Sequence, residues 1–403
     1  MVSEIPTGAL VRVYRIDRKK STVNVATLAG ITVRYLEMIE AGTKTPSLPV
    51  LRKIAQVLGV RTSALVGEAP SEDHEGPVNP RLAEVERALY TYRSLTPAGG
   101  DSPEIVELAQ LSERVAAAWQ AWLTSPTKYS DVLRVLPELI VASERAVYEH
   151  EHSVQACRVA CEIYQLARPV LKHVGRVDLG GLVADRSMRY AEETGDRLLM
   201  GVGAWNLGMA LLADDMPHGA LDVAMRASET LEPLLAEGTP ALFCVYGGLT
   251  QLAAVAAGRT GDPWRARELL RGPARQAATT VGEGRSDFHL FFGPTNVAIH
   301  AAGIEFETCE LSEGMRVSDD VDIANIASLE RKTAHLYQVA RAYECKGNDT
   351  AVFVHLQMAH RICPQDFQHK RLPRSMVTTL LRRAKPSYAS EVRQFADTIG
   401  LLN

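Results

Sequence analysis

The sequence predicts an all-α protein in two parts, and three observations predict it. The N-terminal segment reads as short amphipathic helices separated by glycine turns. From Arg81 onward Ala, Leu, Arg and Glu dominate, and no alternating run of β-branched residues is long enough for a sheet. Along that second part small residues recur beside Gly-Asp and similar turns, the pattern of repeated helix pairs. At 403 residues the chain is long enough for two or three domains and a large core.

The head is the most informative stretch. Between Ser21 and Glu40, Val25, Leu28 and Ala29 recur at helical spacing, Gly30 supplies a left-handed turn, and Thr32 caps the helix that follows. Ile31, Tyr35, Leu36 and Ile39 are then expected to face a core. Two short helices joined at Ala29-Gly30-Ile31-Thr32 make a helix-turn-helix. Gly42 stops the second of them, a basic loop follows, and another amphipathic helix runs to Gly59.

That order, with Arg12 to Lys20 in front, resembles the five-helix DNA-binding domain of the Cro/phage-repressor type over about residues 6–68. The resemblance implies a buried ion pair between Arg15 and Glu40, a scaffold feature whose halves cannot be lost singly without leaving an uncompensated charge. It also implies a recognition helix that begins at Thr32. The side chains at its start, Thr32, Val33, Arg34 and Glu37, with Met38 a turn further on, would reach base edges of a double-stranded DNA operator. Arg34 suits bidentate reading of guanine, and Val33 suits a thymine methyl. The chain departs from the family pattern at Lys20-Ser21-Thr22, where Leu-Thr-Gln is usual. Thr22 is too short to bridge backbone and base but can donate to a phosphate. Lys44, Thr45 and Ser47 lie in the loop that follows the DNA backbone in this family, and the alternative for them is a merely solvated loop.

Charge agrees with that division. Residues 1–70 hold ten Lys/Arg against five acids, a net of +5, and the remaining residues carry −9. A basic head on an acidic body suits a phosphate-binding module joined to one that does not bind nucleic acid. Between them, residues 69–80 lie in a stretch rich in Pro, Gly and acid, expected to be a linker to a body of residues 81–403. No leader is expected ahead of the head, and the expected compartment is the cytoplasm. The uncharged span 238–258 is long enough to cross a bilayer, but Pro240, Gly247, Gly248, Thr250 and Gln251 interrupt it, so a buried helix and no membrane association are expected.

Catalytic and metal signatures are absent from the chain. It has no GxxxxGK[ST], HExxH or GxSxG motif, and Gly282-Glu283-Gly284 lacks the later glycine and preceding strand of a dinucleotide site, so neither an enzyme nor a cofactor is expected. Cys157 and Cys161 share a helix face without a second Cys or His pair to complete a zinc set. His150 and His152 point apart on an expected helix, so no metal site is expected. Reduced core thiols are the expected state of the cysteines, with a redox sensor as the alternative.

In the body four helix pairs can be aligned. Ala204 to Leu211 pairs with Gly219 to Ala227, and Ala253 to Gly258 pairs across Gly261-Asp262-Pro263-Trp264 with Ala266 and Leu270. Asn296 to Phe306 pairs across Glu310-Leu311 with Gly314 and Val317, and Val339 to Tyr343 pairs across Gly347-Asn348-Asp349 with Val352 to Ala359. Degenerate units are expected around Glu144 to Tyr164 and Leu182 to Thr194, where Gly195-Asp196 marks a turn. These resemble tetratricopeptide repeats over about residues 100–385, in an α-solenoid of irregular pitch. The equivalent positions Ala220, Ala266, Gly314 and Val352 are 46, 48 and 38 apart, above the usual repeat of about 34, so longer helices or loops are expected.

A Cro-type head on such a body resembles the quorum-sensing regulators in which a repeat domain binds a peptide or other signal, and a large group of actinobacterial regulators of the same build. The resemblance implies a homodimer and a ligand on the inner face, lined by the first helix of each pair. Trp205, Asn206 and Met209 in one unit and Asn296 and His300 in another project from such helices. An asparagine amide can bond both groups of a peptide backbone, although Asn206 and Asn296 could equally serve helix packing. Phe291 and Phe292, in the aromatic segment 282–295, are either binding residues on a loop or a plug for the core. The competing reading is a protein-protein scaffold that sequesters another regulator without a small ligand.

Overall fold

A computed structural model describes residues 6–65, 80–91, 106–308, 310–326 and 328–402, and among them every regular element is helical. The expected linker 69–80 lies outside the described residues except for Pro80. The head comprises α1 (Thr7–Asp17), α2 (Thr22–Ala29), α3 (Val33–Glu40), α4 (Leu48–Leu58) and α5 (Thr62–Leu65). The body begins with α6 (Pro80–Leu89), α7 (Leu108–Thr124), α8 (Lys128–Glu149), α9 (Val154–His173), α10 (Val177–Thr194), α11 (Arg197–Ala213) and α12 (Pro217–Leu231). It continues with α13 (Pro240–Thr260), α14 (Pro263–Leu269), α15 (Arg275–Val281), α16 (Pro294–Glu307), α17 (Leu311–Asp319) and α18 (Leu329–Lys346). The last helices are α19 (Asp349–Ile362), α20 (Asp366–His369), α21 (Arg371–Arg383) and α22 (Ala389–Thr398).

The chain divides into two compact units. The first holds Met1–Glu72, Gly258–Arg267 and Ala298–Asn403, and the second holds Asp73–Ala257 and Glu268–Val297.

In the first unit, Val11, Val25, Ala26, Leu36, Ile39, Leu51, Ile54 and Leu58 form the buried core of the head, and Ile31 and Tyr35 pack on its edge. Leu28 is 61% exposed, while Ala26 is buried beside Val25 and Ala29. At about 100° per residue, Val25, Ala26 and Ala29 span one narrow stripe and Leu28 falls outside it. Further along this unit α18 packs on α19, and α21 packs on both α19 and α22, around Leu336, Leu356, Phe367, Val377 and Phe395.

In the second unit successive helices from α7 to α12 pack against their neighbours. The turns expected at Gly195-Asp196 and Gly347-Asn348, one in each unit, are both formed, with Asp196 and Asn348 capping the following helices. The wide spacing of Ala220, Ala266, Gly314 and Val352 comes from the long helices between them, 21 residues in α13 and 18 in α18, and from a π-turn at Leu270–Ala274, around Pro273, that joins α14 to α15. Among the described residues α13 is the one helix long and apolar enough to cross a membrane by length and composition, and 78% of that apolar stretch is buried in the protein. Gly247 explains one of its interruptions. The Phe292 ring lies where a Cβ would stand, so only glycine admits it.

Candidate nucleic-acid interface

The helix-turn-helix is assembled from local bonds. Ser21 Oγ accepts from the Asn24 N–H at 3.1 Å and starts α2, which sequence reasoning had not assigned. Gly30, with φ 67°, closes α2 in the left-handed region that side chains with a Cβ avoid. Thr32 Oγ1 then accepts from the Tyr35 N–H at 3.2 Å, so α3 begins where the cap predicted.

The far end of α3 is held by its ion pair. Arg15 Nε lies 2.6 Å from Glu40 Oε1 and Arg15 Nη2 lies 2.8 Å from Oε2, a bidentate pair with side chains only 14% and 8% exposed. Arg15 Nη1 also donates to the Lys20 carbonyl at 3.1 Å, which ties α1 to the start of α2. The hydrogen bond from Arg15 to Glu40 raises the guanidinium pKa above its usual value, against the opposing effect of burial.

With Leu36 and Ile39 turned into the core, the residues of α3 nominated for base contact divide. Thr32, Arg34 and Glu37 are exposed, while Met38 is half-buried and Val33 is half-buried against the head core. In the following loop Lys44 is exposed, Thr45 and Ser47 are half-buried, and Pro46 is buried. The Met38 carbonyl accepts from Thr43 Oγ1 at 3.0 Å and from the Lys44 N–H at 3.1 Å, which fixes the turn into that loop. Thr22, at the start of α2, is half-buried. A short helix capped at one end and clamped at the other presents Arg34 and Glu37 from a rigid base, the condition for reading base edges.

Sequence reasoning missed a second set of contacts in the same unit. Arg52 of α4 forms a bidentate pair with Glu307 at 3.0 and 3.1 Å, and Arg259 Nε lies 3.3 Å from the same carboxylate. Burial alone would raise the Glu307 pKa, but Arg259 and Arg52 hold it below the usual carboxylate range. Arg341 Nη2 donates to the Pro46 carbonyl at 2.9 Å, and Arg383 donates to the Gly42 carbonyl. These partners are up to 341 residues apart, so no local pattern announces them.

The residues nominated for ligand contact occupy varied settings. In the second unit, Asn206 is 1% exposed. Its Oδ1 accepts from Arg168 Nε at 2.5 Å, while its Nδ2 has no hydrogen-bond partner among the described residues. Trp205 is half-buried with the Arg168 guanidinium 5.5 Å from its ring centroid, and Met209 packs beside it at the edge of the Leu212 and Leu252 cluster. Asn296 is buried, and its Nδ2 donates to Gln251 Oε1 at 2.8 Å while Gln251 Nε2 donates to the Asn296 carbonyl at 3.0 Å. Its amide therefore joins α13 to α16. Phe292 is 2% exposed and plugs the core against Gly247, whereas Phe291 is half-buried at a φ of 49°. In the first unit, His300 is half-buried, and burial, then Arg331, pushes its pKa down to about 3, so its imidazole is neutral.

Capped helices, the glycine turn and the Arg15–Glu40 clamp define a helix-turn-helix domain of the Cro/phage-repressor type at the N-terminus of an all-α chain. In agreement, residues 11–65 match the family described as Helix-turn-helix. The immunity repressor protein of Bacillus phage phi105 is 38% identical over 61 residues, which are 15% of this chain and 42% of that protein. The match thus spans less than half of the relative's length. Among solved structures, the crystal structure of Bacillus thuringiensis PlcR in complex with the peptide PapR7 and DNA has a TM-score of 0.31 at 13% identity, covering 68% of this chain and 95% of that one.

Proposed function

We propose that the protein is a sequence-specific DNA-binding transcriptional regulator, with a reading head in residues 1–68, a linker at 69–80 and a sensory and dimerising body in 81–403. The observation that carries this reading is the exposure of Arg34 and Glu37 on a capped recognition helix, within a head segment of net charge +5. Arg34 reads a base edge, and Lys44 supplies charge to the phosphate backbone. Arg34→Ala is expected to weaken binding to a duplex selected from a random pool by about 1–3 kcal/mol and to leave binding to a scrambled duplex nearly unchanged. Mobility shifts on the two duplexes measure this. An equal loss on both makes Arg34 a phosphate contact.

One head covers few base pairs, and a symmetric operator sets two half-sites about one helical turn, or a multiple, apart. The protein is therefore expected to sediment as a homodimer at micromolar concentration. A monomer on DNA and off it would overturn that part of the reading.

The body reads a signal through the Trp205, Asn206 and Met209 face of α11. The supporting observation is the buried Asn206 Nδ2, which has no hydrogen-bond partner among the described residues, since an orphaned donor costs free energy until an acceptor such as a peptide carbonyl reaches it. Asn206→Ala is expected to leave basal DNA affinity intact and to blunt its response to an extract of the producing organism by the value of one hydrogen bond, about 0.5–1.5 kcal/mol. A variant that responds like the wild type moves the signal elsewhere. No response in the wild type favours the scaffold reading.

A further inference from the structure

Three side chains from consecutive elements of the second unit meet where the turn between α8 and α9 passes the end of α10. His152 comes from the turn, Cys157 from the first turn of α9, and Glu193 from the last turn of α10. His152 Nδ1 lies 2.6 Å from Glu193 Oε2, and Cys157 Sγ lies 3.5 Å from the same oxygen. All three donor atoms lie within 4.8 Å of one another. We propose that this cluster is a binding site for zinc or a similar borderline divalent d-block cation, ligated by the Cys157 thiolate, the His152 Nδ1 and the Glu193 carboxylate, with water completing the tetrahedron.

The donor set selects the class of ion. Calcium and magnesium take oxygen ligands, whereas a mixed sulfur, nitrogen and oxygen set suits zinc. Bonds of about 2.3 Å to sulfur and about 2.0–2.1 Å to nitrogen and oxygen, at tetrahedral angles, separate the donors by about 3.3–3.6 Å. The Cys157–Glu193 separation already meets that spacing. The His152–Glu193 separation has to widen by less than about 1 Å on the same geometry, and with side chains 58% and 40% exposed both groups have room to turn. Cys157 is buried and held by α9, so it is the fixed ligand around which the two mobile ones close.

Charge balance points the same way. Without a cation the Cys157 thiol donates to the Glu193 carboxylate at 3.5 Å. A divalent cation neutralises the thiolate and the carboxylate together, and the thiol proton leaves to solvent as the sulfur–metal bond forms. Three protein ligands and an accessible fourth position give an open site in place of a closed structural knot. Bound metal pins the α8–α9 turn to the end of α10.

The test uses the full chain and Co²⁺ as an optical probe, followed by displacement with Zn²⁺. One equivalent of Co²⁺ is expected to bind with a thiolate-to-metal charge-transfer band that Zn²⁺ abolishes. Cys157→Ser should remove the band, and Cys345→Ser, at a cysteine outside the cluster, should keep it. His152→Ala and Glu193→Gln alter exposed side chains whose loss does not threaten folding, and each should weaken Zn²⁺ binding by about tenfold or more. Survival of the band in Cys157→Ser, undiminished affinity in both other variants, or no stoichiometric uptake at micromolar metal would each overturn the assignment.

Discussion

Glu40→Ala is expected to lower the stability of the head by about 3–5 kcal/mol, because it leaves the Arg15 guanidinium largely buried without its carboxylate. Such a loss is a large part of the ~5–15 kcal/mol that holds a typical domain folded. The pair is bidentate, and Arg15 also holds the Lys20 carbonyl, so the damage reaches both the end of α3 and the entry to α2. Native-state hydrogen exchange at the amides of α3 and α4 in the full chain reads the loss directly. Replacing both partners with apolar residues, Arg15→Met with Glu40→Leu, should recover most of it, since a buried ion pair stabilises little against a well-packed apolar pair. Unchanged exchange in Glu40→Ala would show that water solvates the stranded guanidinium.

Phe292→Ala is expected to cost about 3–5 kcal/mol in the second unit, because it empties the volume of a ring that is 2% exposed. Its contact with α13 gives the prediction a second arm. Gly247→Ala alone sets a Cβ against the Phe292 ring and should cost about 1–3 kcal/mol through overpacking. In the Phe292→Ala background that Cβ enters open space, so the same substitution should be neutral or stabilising by up to about 1 kcal/mol through helix propensity. Additive effects in a denaturation cycle would place the ring elsewhere. A variant of full stability with an altered response to signal would restore Phe292 as a binding residue.

The contrast between these two sites shows how far the sequence could be read. The helix-turn-helix was legible because its determinants are local. Thr32 caps three residues ahead, Gly30 ends one helix, and Val25 and Ala29 recur within a turn. Leu28, apolar and at helical spacing, falls just outside the buried stripe, and only the neighbouring helices decide where that stripe lies. The Arg15–Glu40 pair was placed from the family resemblance. Nothing local in its 25-residue separation would have found it.

By itself, the sequence determined the helical class, the position of the helix-turn-helix, the basic head on an acidic body, and the glycine turns that end helices at Gly195 and Gly347. These follow from periodicity, capping and backbone freedom, which act within one or two turns of chain. Only the tertiary structure decided that Asn296 spends its amide on Gln251, that Arg52 meets Glu307 across 255 residues, and that Phe292 fills the space Gly247 leaves. It also decided that His152 meets Glu193, 41 residues away, and not His150. The physical reason is common to all four. A long-range contact depends on which faces of two helices meet, and that is set by the packing of the whole unit, where side chains far apart in sequence compete for the same volume.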